Sequence, residues 1–233
     1  ELVRRFVGGW GFTNKLAYDL IGPEVDPLSP ENVIAIGAGA LSGTLAPGST
    51  RVAATTKQPI NNAIGTANAG GFSHQLKGAG YDYVVIRGRA EKPVYLKIID
   101  DDVSLEDAAE LWGKDTLQTI DLLRAKHGIN SSVIAIGQAG ERLVKISFAI
   151  VDKFGTLGRG GFGAVFGSKN LKALVAGGTK GVALHDAQRF IEKAGSVRQN
   201  MLKYPFRKEW IKLGPALMSR VFKGTDGILT RMT

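Results

Sequence analysis

A phrase of eight residues occurs twice in this chain, ninety positions apart. Residues 65–72 read GTANAGGF and residues 155–162 read GTLGRGGF. Each copy follows the same strand-like pentapeptide, VIAIG, at residues 33–37 and 133–137, and each precedes a further glycine and an apolar run. Two matched segments in matched order predict an internal duplication, and therefore a fold built from two related halves.

The repeated segment is rich in glycine and points to ligand binding rather than to side-chain catalysis. Glycine has no Cβ, so the backbone can approach a ligand closely with its N–H groups exposed. Asn68 lies in the first copy, Arg159 lies in the second, and Arg51 precedes the first copy by fourteen residues. Guanidinium and amide groups bind oxygen-rich, phosphate-bearing ligands. Two such turns facing one another would form a cradle for a large, flat, anionic ligand; the alternative is two tight strand-to-helix turns.

Composition limits the class of protein. A chain of 233 residues can form one large domain, or one domain with a tail. Its longest apolar runs have the length of strands, so no transmembrane helix is predicted, and residues 1–7 are too short for a signal peptide. The first residue is not Met, so we expect the natural N-terminus upstream. The chain has no Cys, so these residues cannot form disulfides or bind iron–sulfur clusters, in agreement with a cytoplasmic location.

The formal net charge is +9, and the basic excess lies in one part of the chain. Residues 180–233 hold eleven Lys and Arg against four Asp and Glu, whereas the remaining 179 residues hold nineteen against seventeen. The basic residues are scattered and lack the interleaved aromatic residues of a nucleic-acid stacking platform. We therefore interpret this part as a solvated or partner-covered helical surface and expect no nucleic-acid partner.

Hydrophobic periodicity and turn residues predict an α+β fold rather than a doubly wound parallel sheet. Helices are predicted over residues 11–21 and 115–126, the second ended by Gly128 and with an apolar stripe of Leu117, Ile120, Leu123 and Ala125. Strands are predicted at residues 33–37, 51–56, 83–88, 94–99, 132–136 and 143–151.

Four further local features carry structural predictions. Ser104 with Asp107 has the spacing of a helix cap, so a short helix is predicted there, and the turn at residues 89–93 would join its flanking strands as a hairpin. The loop of small residues at 38–50 is predicted to be functional. After residue 178 the sequence becomes helical and basic, with Phe190, Ile191, Ala194, Val197 and Met201 as its apolar face, so we place a domain boundary there.

Other familiar sites fit the sequence poorly. Residues 163–169, GAVFGSK, resemble a phosphate-binding loop, but the spacing of the glycines and lysine is wrong. The chain also lacks the acidic residue that a dinucleotide-binding fingerprint requires. His74, His127 and His185 have no partner at helical spacing, which argues against a protein-ligated metal site, and no residue resembles an activated nucleophile.

Many short motifs along the chain resemble the N-terminal domain of the tungsten-dependent aldehyde ferredoxin oxidoreductase family. Those motifs are GG at 8–9, VDPLSPEN at 25–32, LSGT at 41–44, APG at 46–48, TKQP at 56–59, ANAGG at 67–71, LKGAGYD at 76–82, GRAEKPVY at 88–95, WGK at 112–114, IGQAGE at 136–141, GRGGFG at 158–163 and GSKNLKA at 167–173. They are spread along most of the chain, from residue 8 to residue 173.

The resemblance implies a domain that binds tungstopterin, in which two molybdopterins chelate one tungsten and a magnesium ion bridges their phosphates. It also implies an internally duplicated fold of two sheets, with residues 1–178 as the cofactor-binding base and residues 179–233 as the basic helical start of the next domain. The implied cofactor-binding residues are Arg51, Asn68, Gly70, Gly155, Thr156, Gly158 and Arg159, and Asn68 and Thr156 face the magnesium. Arg51 would link the pterin to a [4Fe-4S] cluster whose ligands lie outside this chain.

The chain departs from the family pattern at two positions. The family often has Arg after the opening Gly-Gly, where this chain has Trp10, and often has Arg at the position of Gly155. The second change removes an expected phosphate contact.

The implied function is the cofactor-binding portion of an enzyme that oxidises aldehydes to carboxylic acids with ferredoxin as electron acceptor. The implied partners are the missing C-terminal domains and further copies or subunits, with no membrane span. Two alternatives stay open: a tungsten subunit of an aromatic acyl-CoA reductase, and a non-catalytic module that has kept the fold.

Overall fold

The computed structural model of the protein describes residues 2–158 and 160–218. The chain divides into two compact units, residues 1–183 and residues 184–233. The first contains ten strands and six helices among its described residues, in the order Leu2–Phe6 (α1), Gly9–Leu20 (α2), Ile34–Gly37 (β1), Val52–Lys57 (β2), Ile64–Ala69 (β3), Phe72–Gly78 (α3), Tyr83–Ile86 (β4), Val94–Ile99 (β5), Asp102–Asp107 (β6), Thr116–His127 (α4), Ser132–Ile136 (β7), Gln138–Glu141 (α5), Ala149–Val151 (β8), Gly155–Leu157 (β9), Phe162–Ser168 (α6) and Leu171–Gly177 (β10).

The duplication predicted from the sequence is visible in the strand order of two sheets. The first sheet has the order β3-β2-β1-β4, with every pair antiparallel. Within the second sheet, β9-β8-β7-β10 has the same order and is again antiparallel throughout. The second sheet continues with β5, parallel to β10, and then with β6. The α+β fold of two related sheets is therefore confirmed.

The helices follow the same repeat. A helix precedes the first strand of each copy: α2 packs on β1 and β2, and α4 packs on β7 and β10. A helix also follows each glycine turn directly, α3 after the first and α6 after the second. The main core contains apolar residues from both sheets together with Phe72 and Leu76 of α3 and Phe162 and Phe166 of α6, all fully buried. The helices that follow the two glycine turns are thereby anchored in the main core.

The predicted short helix at Ser104 is wrong, because residues 102–107 form strand β6. This strand pairs with β5 from Val94↔Asp107 to Ile99↔Asp102. Asp100 adopts a positive φ of 49° in the tight turn between them, and the Ser104 hydroxyl donates to Glu106 Oε1 at 2.7 Å. The tertiary pairing therefore overrides a local capping pattern.

Other local predictions are partly wrong. The strands β4 and β5 do not form a hairpin, since β4 pairs with β1 in the first sheet and β5 belongs to the second. Of the predicted strand over 143–151, only residues 149–151 are extended. Helix α4 begins at its Asp115 cap and ends at Gly128 as expected, but Leu117 and Ala125 of the predicted stripe are exposed.

Lys169 fixes the connection between the two halves. Its side chain is buried, and Nζ donates to the carbonyl oxygens of Asn32 at 2.6 Å, Gly88 at 3.2 Å and Pro30 at 3.3 Å. This lysine follows α6 and is the residue that gave the segment its likeness to a phosphate-binding loop, but its ammonium group serves backbone carbonyls. Burial lowers the pKa of Lys169 to about 8.

The lowered pKa of Lys169 predicts a pH dependence of stability. Above about pH 8 the folded protein releases this proton, whereas the unfolded chain holds it up to about pH 10.5. The free energy of unfolding should therefore rise across this window, by up to about 3 kcal/mol. Denaturant unfolding at several pH values should show this rise in the wild type, and Lys169→Met should lack it. The control Lys145→Met, at an exposed position, should follow wild type; a Lys169→Met curve parallel to wild type would contradict the assignment.

The second unit contains helices Ala187–Leu202 (α7) and Arg207–Leu213 (α8), followed by a short 3-10 turn at Gly214–Ala216. No residue of α7 is buried, and its apolar residues Ile191, Val197 and Met201 are exposed. Within the part of the chain that the structure describes, no helix combines the length and apolar character needed to cross a bilayer.

Candidate functional site

The two glycine turns touch, as the cradle hypothesis requires. A Cβ added to Gly155 would overlap with the backbone N of Gly70 and lie 3.1 Å from Ala69 Cβ. Gly70 itself has φ +41°, and a Cβ there would lie 2.5 Å from Val151 Cγ1. A larger residue at Gly155 would push the two turns apart, and one at Gly70 would collide with Val151 of β8.

One polar side chain lies between the two copies. Gln58 is buried, and its side-chain amide occupies the space into which a Cβ on either Gly65 or Gly160 would project. Gly160 also has a positive φ of +95°, a conformation that other residues rarely adopt. The turns at 65–72 and 155–162 are thus close in space.

A cleft of about 380 Å³ opens beside the first glycine turn. It lies among the start of α2, the loop at residues 38–50 and strands β2 and β3. Arg51, Asn68 and Trp10 line it together with small residues, which are Gly9, Gly39, Ala40, Ser42, Gly48, Ser49 and Ala53, and with Val7 and Leu41. The small residues leave room for a flat ligand, and the polar side chains at the rim can orient it.

The loop at residues 38–50, which the sequence marked as functional, forms one wall of this cleft. The Ser42 hydroxyl is buried and donates to Ser49 O at 2.7 Å, while the Ser49 hydroxyl donates to Leu41 O at 2.9 Å. Its own hydroxyl groups therefore hold the loop in place without large side chains.

Arg51 brings an unpaired positive charge to the cleft. Its side chain is exposed, and among the described residues no hydrogen bond or ion pair engages its guanidinium group. Arginine carries a permanent charge and five N–H donors in a planar fork that suits phosphate and carboxylate groups. An exposed, unpaired arginine at the mouth of a glycine-lined cleft can therefore bind an anionic ligand.

Asn68 lies on β3 opposite Ala53 of β2, and Trp10 of α2 contacts it directly. The indole Nε1–H donates to Asn68 Oδ1. Sequence reasoning noticed Trp10 only as a departure from the family pattern and assigned it no role. A tryptophan 58 residues from its partner gives no local signal, so only the fold reveals this contact.

Of the other predicted site residues, Gly70 and Gly155 lie at the contact between the copies. Gly70 directly follows β3 within the first turn, and Gly155 and the exposed Thr156 belong to β9, which is followed by Gly158. None of these four lines the Arg51 cleft. Arg159 lies outside the described residues.

The hydrogen-bond donors of this site suit the anionic oxygens of a cofactor. Within residues 2–158 and 160–218, no cluster of three or more His, Cys, Asp or Glu could hold a metal ion. What the chain offers instead is exposed glycine backbone, an arginine and an amide, which are groups that bind phosphate and other anionic oxygens. These residues fit the phosphate groups of an organic cofactor.

Fold and cleft together define a duplicated α+β domain with a cationic, glycine-lined cleft. The model of one protein family, described as the N-terminal domain of aldehyde ferredoxin oxidoreductase, matches residues 1–178. The chain belongs to the aldehyde ferredoxin oxidoreductase family.

Individual relatives agree with this assignment. A tungsten-containing aldehyde ferredoxin oxidoreductase from Pyrococcus furiosus is 44% identical over 206 residues, covering 86% of this chain and 34% of the relative. The protein of the same description from Thermococcus kodakarensis is 42% identical over 206 residues, with the same coverage of both chains. This chain therefore spans about a third of the length of these curated relatives.

More distant similarity extends to proteins with other substrates in their names. An aliphatic sulfonate oxidoreductase, WOR-like subunit, from Pyrococcus furiosus is 33% identical over 195 residues, covering 77% of this chain and 31% of the relative. The solved active-site complex BamBC of benzoyl coenzyme A reductase contains a chain 34% identical to this one, with a TM-score of 0.82, covering 85% of this chain and 31% of that chain.

Proposed function

We propose that this chain is the cofactor-binding portion of a tungsten bis-pterin oxidoreductase that oxidises aldehydes to carboxylic acids and passes the electrons to ferredoxin. Its relatives that carry tungsten and aldehyde oxidation in their names support this reading at 42–44% identity. The observation that carries it furthest is the unpaired Arg51 in a cleft beside two touching glycine turns.

The chain's residues take binding roles in this proposal. Arg51 would bind the pterin and lie toward a [4Fe-4S] cluster whose ligands belong to residues outside this chain. Asn68 and Thr156 would bind in the region of the phosphates and magnesium. The turns contribute Gly70, Gly155 and Gly158, and Arg159 would add a second guanidinium.

When bound, the tungsten bis-pterin group supplies the two-electron redox chemistry. Conversion of an aldehyde and water to a carboxylic acid releases two electrons and two protons, and ferredoxin accepts the electrons one at a time. This chain supplies binding, orientation and a positive electrostatic environment for an anionic cofactor. The proton-transferring groups belong to other parts of the enzyme.

We also propose that residues 1–178 are the base domain and that residues 179–233 are the start of the next domain. We further propose that the enzyme assembles with further copies or subunits and that it is located in the cytoplasm.

Metal analysis of the full-length enzyme tests the proposal. Tungsten and organic pterin should co-purify with the protein, and an aldehyde should reduce a viologen dye in its presence. Absence of both tungsten and pterin from protein produced with tungstate would favour the non-catalytic module.

A second candidate function is the reduction of an aromatic acyl-CoA thioester. It is favoured by the similarity to the benzoyl coenzyme A reductase complex, which has a TM-score of 0.82. The two functions differ in the direction of electron flow. Consumption of benzoyl-CoA with a low-potential reductant, without aldehyde-dependent dye reduction, would support this candidate over the first.

A further inference from the structure

The hydrogen bond between Trp10 and Asn68 fixes which way the asparagine amide points. An indole N–H can only donate, so the atom of Asn68 that it contacts must be the carbonyl oxygen Oδ1. This contact therefore resolves the usual ambiguity between the two ends of an asparagine amide. The other end, Nδ2, has no hydrogen-bond partner among the described residues, and Asn68 lines the cleft.

A second, parallel hydrogen bond shows that the Trp10 contact belongs to a regular arrangement. One helical turn after Trp10, Asn14 accepts at Oδ1 from the Thr66 hydroxyl at 2.9 Å, and Thr66 is two residues before Asn68 on β3. Four residues of helix rise about 6 Å and two residues of strand about 6.6 Å. The two helix–strand bonds thus have nearly equal spacing, and they hold one face of α2 in register along β3.

The chain places Trp10 at this position through the two glycines before it. Gly9 N donates to Ala38 O at 2.9 Å, and a Cβ on Gly8 would lie 3.1 Å from the same oxygen. Both glycines have a positive φ, which is +152° at Gly8 and +55° at Gly9. The start of α2 is therefore held against the loop at residues 38–50, with Trp10 beside the mouth of the cleft.

We propose that Trp10 is a positioning residue: its indole N–H holds Asn68 Oδ1, so that Asn68 presents Nδ2 to the cleft as a hydrogen-bond donor. This inference rests on the proposed function, because it concerns how the cleft holds an anionic cofactor. Arg51 and Asn68 then both offer donors, a pair that recognises phosphate oxygens. In this arrangement the Asn68 side chain would donate to a phosphate oxygen and would not itself be a magnesium ligand.

The test measures release of the native cofactor from the full-length enzyme, followed as loss of protein-bound tungsten and pterin after dilution. Trp10→Phe keeps an aromatic ring and removes the donor, so cofactor release should become about three- to ten-fold faster, as expected for one lost hydrogen bond. Asn68→Ala should accelerate release at least as much. In the double variant the tryptophan change should add little, because Trp10 acts through Asn68.

Asn68→Asp separates the donor role from a metal-binding role. A carboxylate still accepts the indole N–H but cannot donate to a phosphate, so release should accelerate and the magnesium content per cofactor should not rise. Wild-type retention with tighter magnesium binding would show that the side-chain oxygen is a metal ligand and would overturn the inference.

Two control variants separate positioning from general stability. Trp210→Phe makes the same change at another exposed tryptophan, and Thr66→Val removes the hydroxyl that bonds to Asn14 and to Thr55 while leaving the Trp10 contact. Neither should accelerate release as Trp10→Phe does. Equal acceleration by Thr66→Val, full additivity in the double variant, or unchanged release from Trp10→Phe overturns the inference. Wild-type enzyme without tungsten and pterin overturns the proposed function itself, and the inference falls with it.

Discussion

Full-length enzyme with Arg51→Ala should lose its cofactor about ten- to a hundred-fold more readily than wild type, which corresponds to one or two charge-assisted hydrogen bonds. The reason is that Arg51 brings a permanent positive charge to the cleft. Within the described residues its guanidinium group has no partner, so its removal leaves no protein group unpaired. Tungsten and pterin content after gel filtration measures the loss. Arg51→Lys should restore retention only in part, because an ammonium group cannot reproduce the planar fork of donors.

The matched control is Arg89→Ala, which removes an exposed arginine that does not line the cleft. It should retain the cofactor as wild type does, and both variants should keep the wild-type far-UV circular dichroism spectrum. Unchanged tungsten content and unchanged turnover in Arg51→Ala would remove Arg51 from the site.

Glu141→Leu should cost about 3–5 kcal/mol of unfolding free energy, the usual effect of breaking a buried ion pair. Lys172 Nζ contacts Glu141 Oε1, and the two side chains are 0% and 5% exposed. Lys172 also donates to Lys114 O at 2.8 Å, and the Glu141 carboxylate accepts from Gly113 N at 3.0 Å. Burial lowers the pKa of Lys172, and Glu141 counteracts this effect. Leucine at 141 would leave the buried ammonium without its counter-charge.

Chemical denaturation of Glu141→Leu, Lys172→Met and the double variant tests this prediction. The double variant should be more stable than either single variant, since it leaves no uncompensated charge. Asp121→Ala is the control: it breaks the Lys153–Asp121 pair, in which Asp121 is 63% exposed, and should cost no more than about 1 kcal/mol. If Glu141→Leu costs no more than this control, the buried pair does not stabilise the fold.

The ion pair also matters for the site because of where its residues lie. Glu141 ends α5, and Lys172 lies on β10, which follows α6. A Cβ on Gly140 would lie 2.8 Å from Gly163 O in α6. Loosening this contact would shift the helix that begins directly after the second glycine turn.

The sequence predicted the duplicated architecture because repetition is a property of the chain itself. The copies VIAIG and GTxxxGGF recur in the same order, and the structure gives β3-β2-β1-β4 and β9-β8-β7-β10 the same order. It also predicted both ends of α4, since the Asp115 cap and Gly128 act within a few residues of their helix. Signals of this kind need no information from distant parts of the chain.

Predictions that depended on distant partners were less successful. The spacing of Ser104 and Asp107 matched a helix cap, yet pairing with β5 extends this segment as β6. The turn after β4 suggested a hairpin, yet β4 pairs with β1 and β5 pairs with β10 and β6. A strand's partner is decided by the buried surface and hydrogen bonds that the whole sheet offers, which the sequence of the strand does not contain.

The sequence by itself determined that this protein repeats a glycine-rich turn, that it carries no cysteine, and that its motifs are those of one family. Only the tertiary structure decided that Gly70 and Gly155 touch, that Gln58 lies between the two turns, and that Trp10 orients Asn68. The reason is physical: a glycine turn follows from local backbone freedom, whereas a contact between residues 58 positions apart exists only after a helix has packed on its sheet.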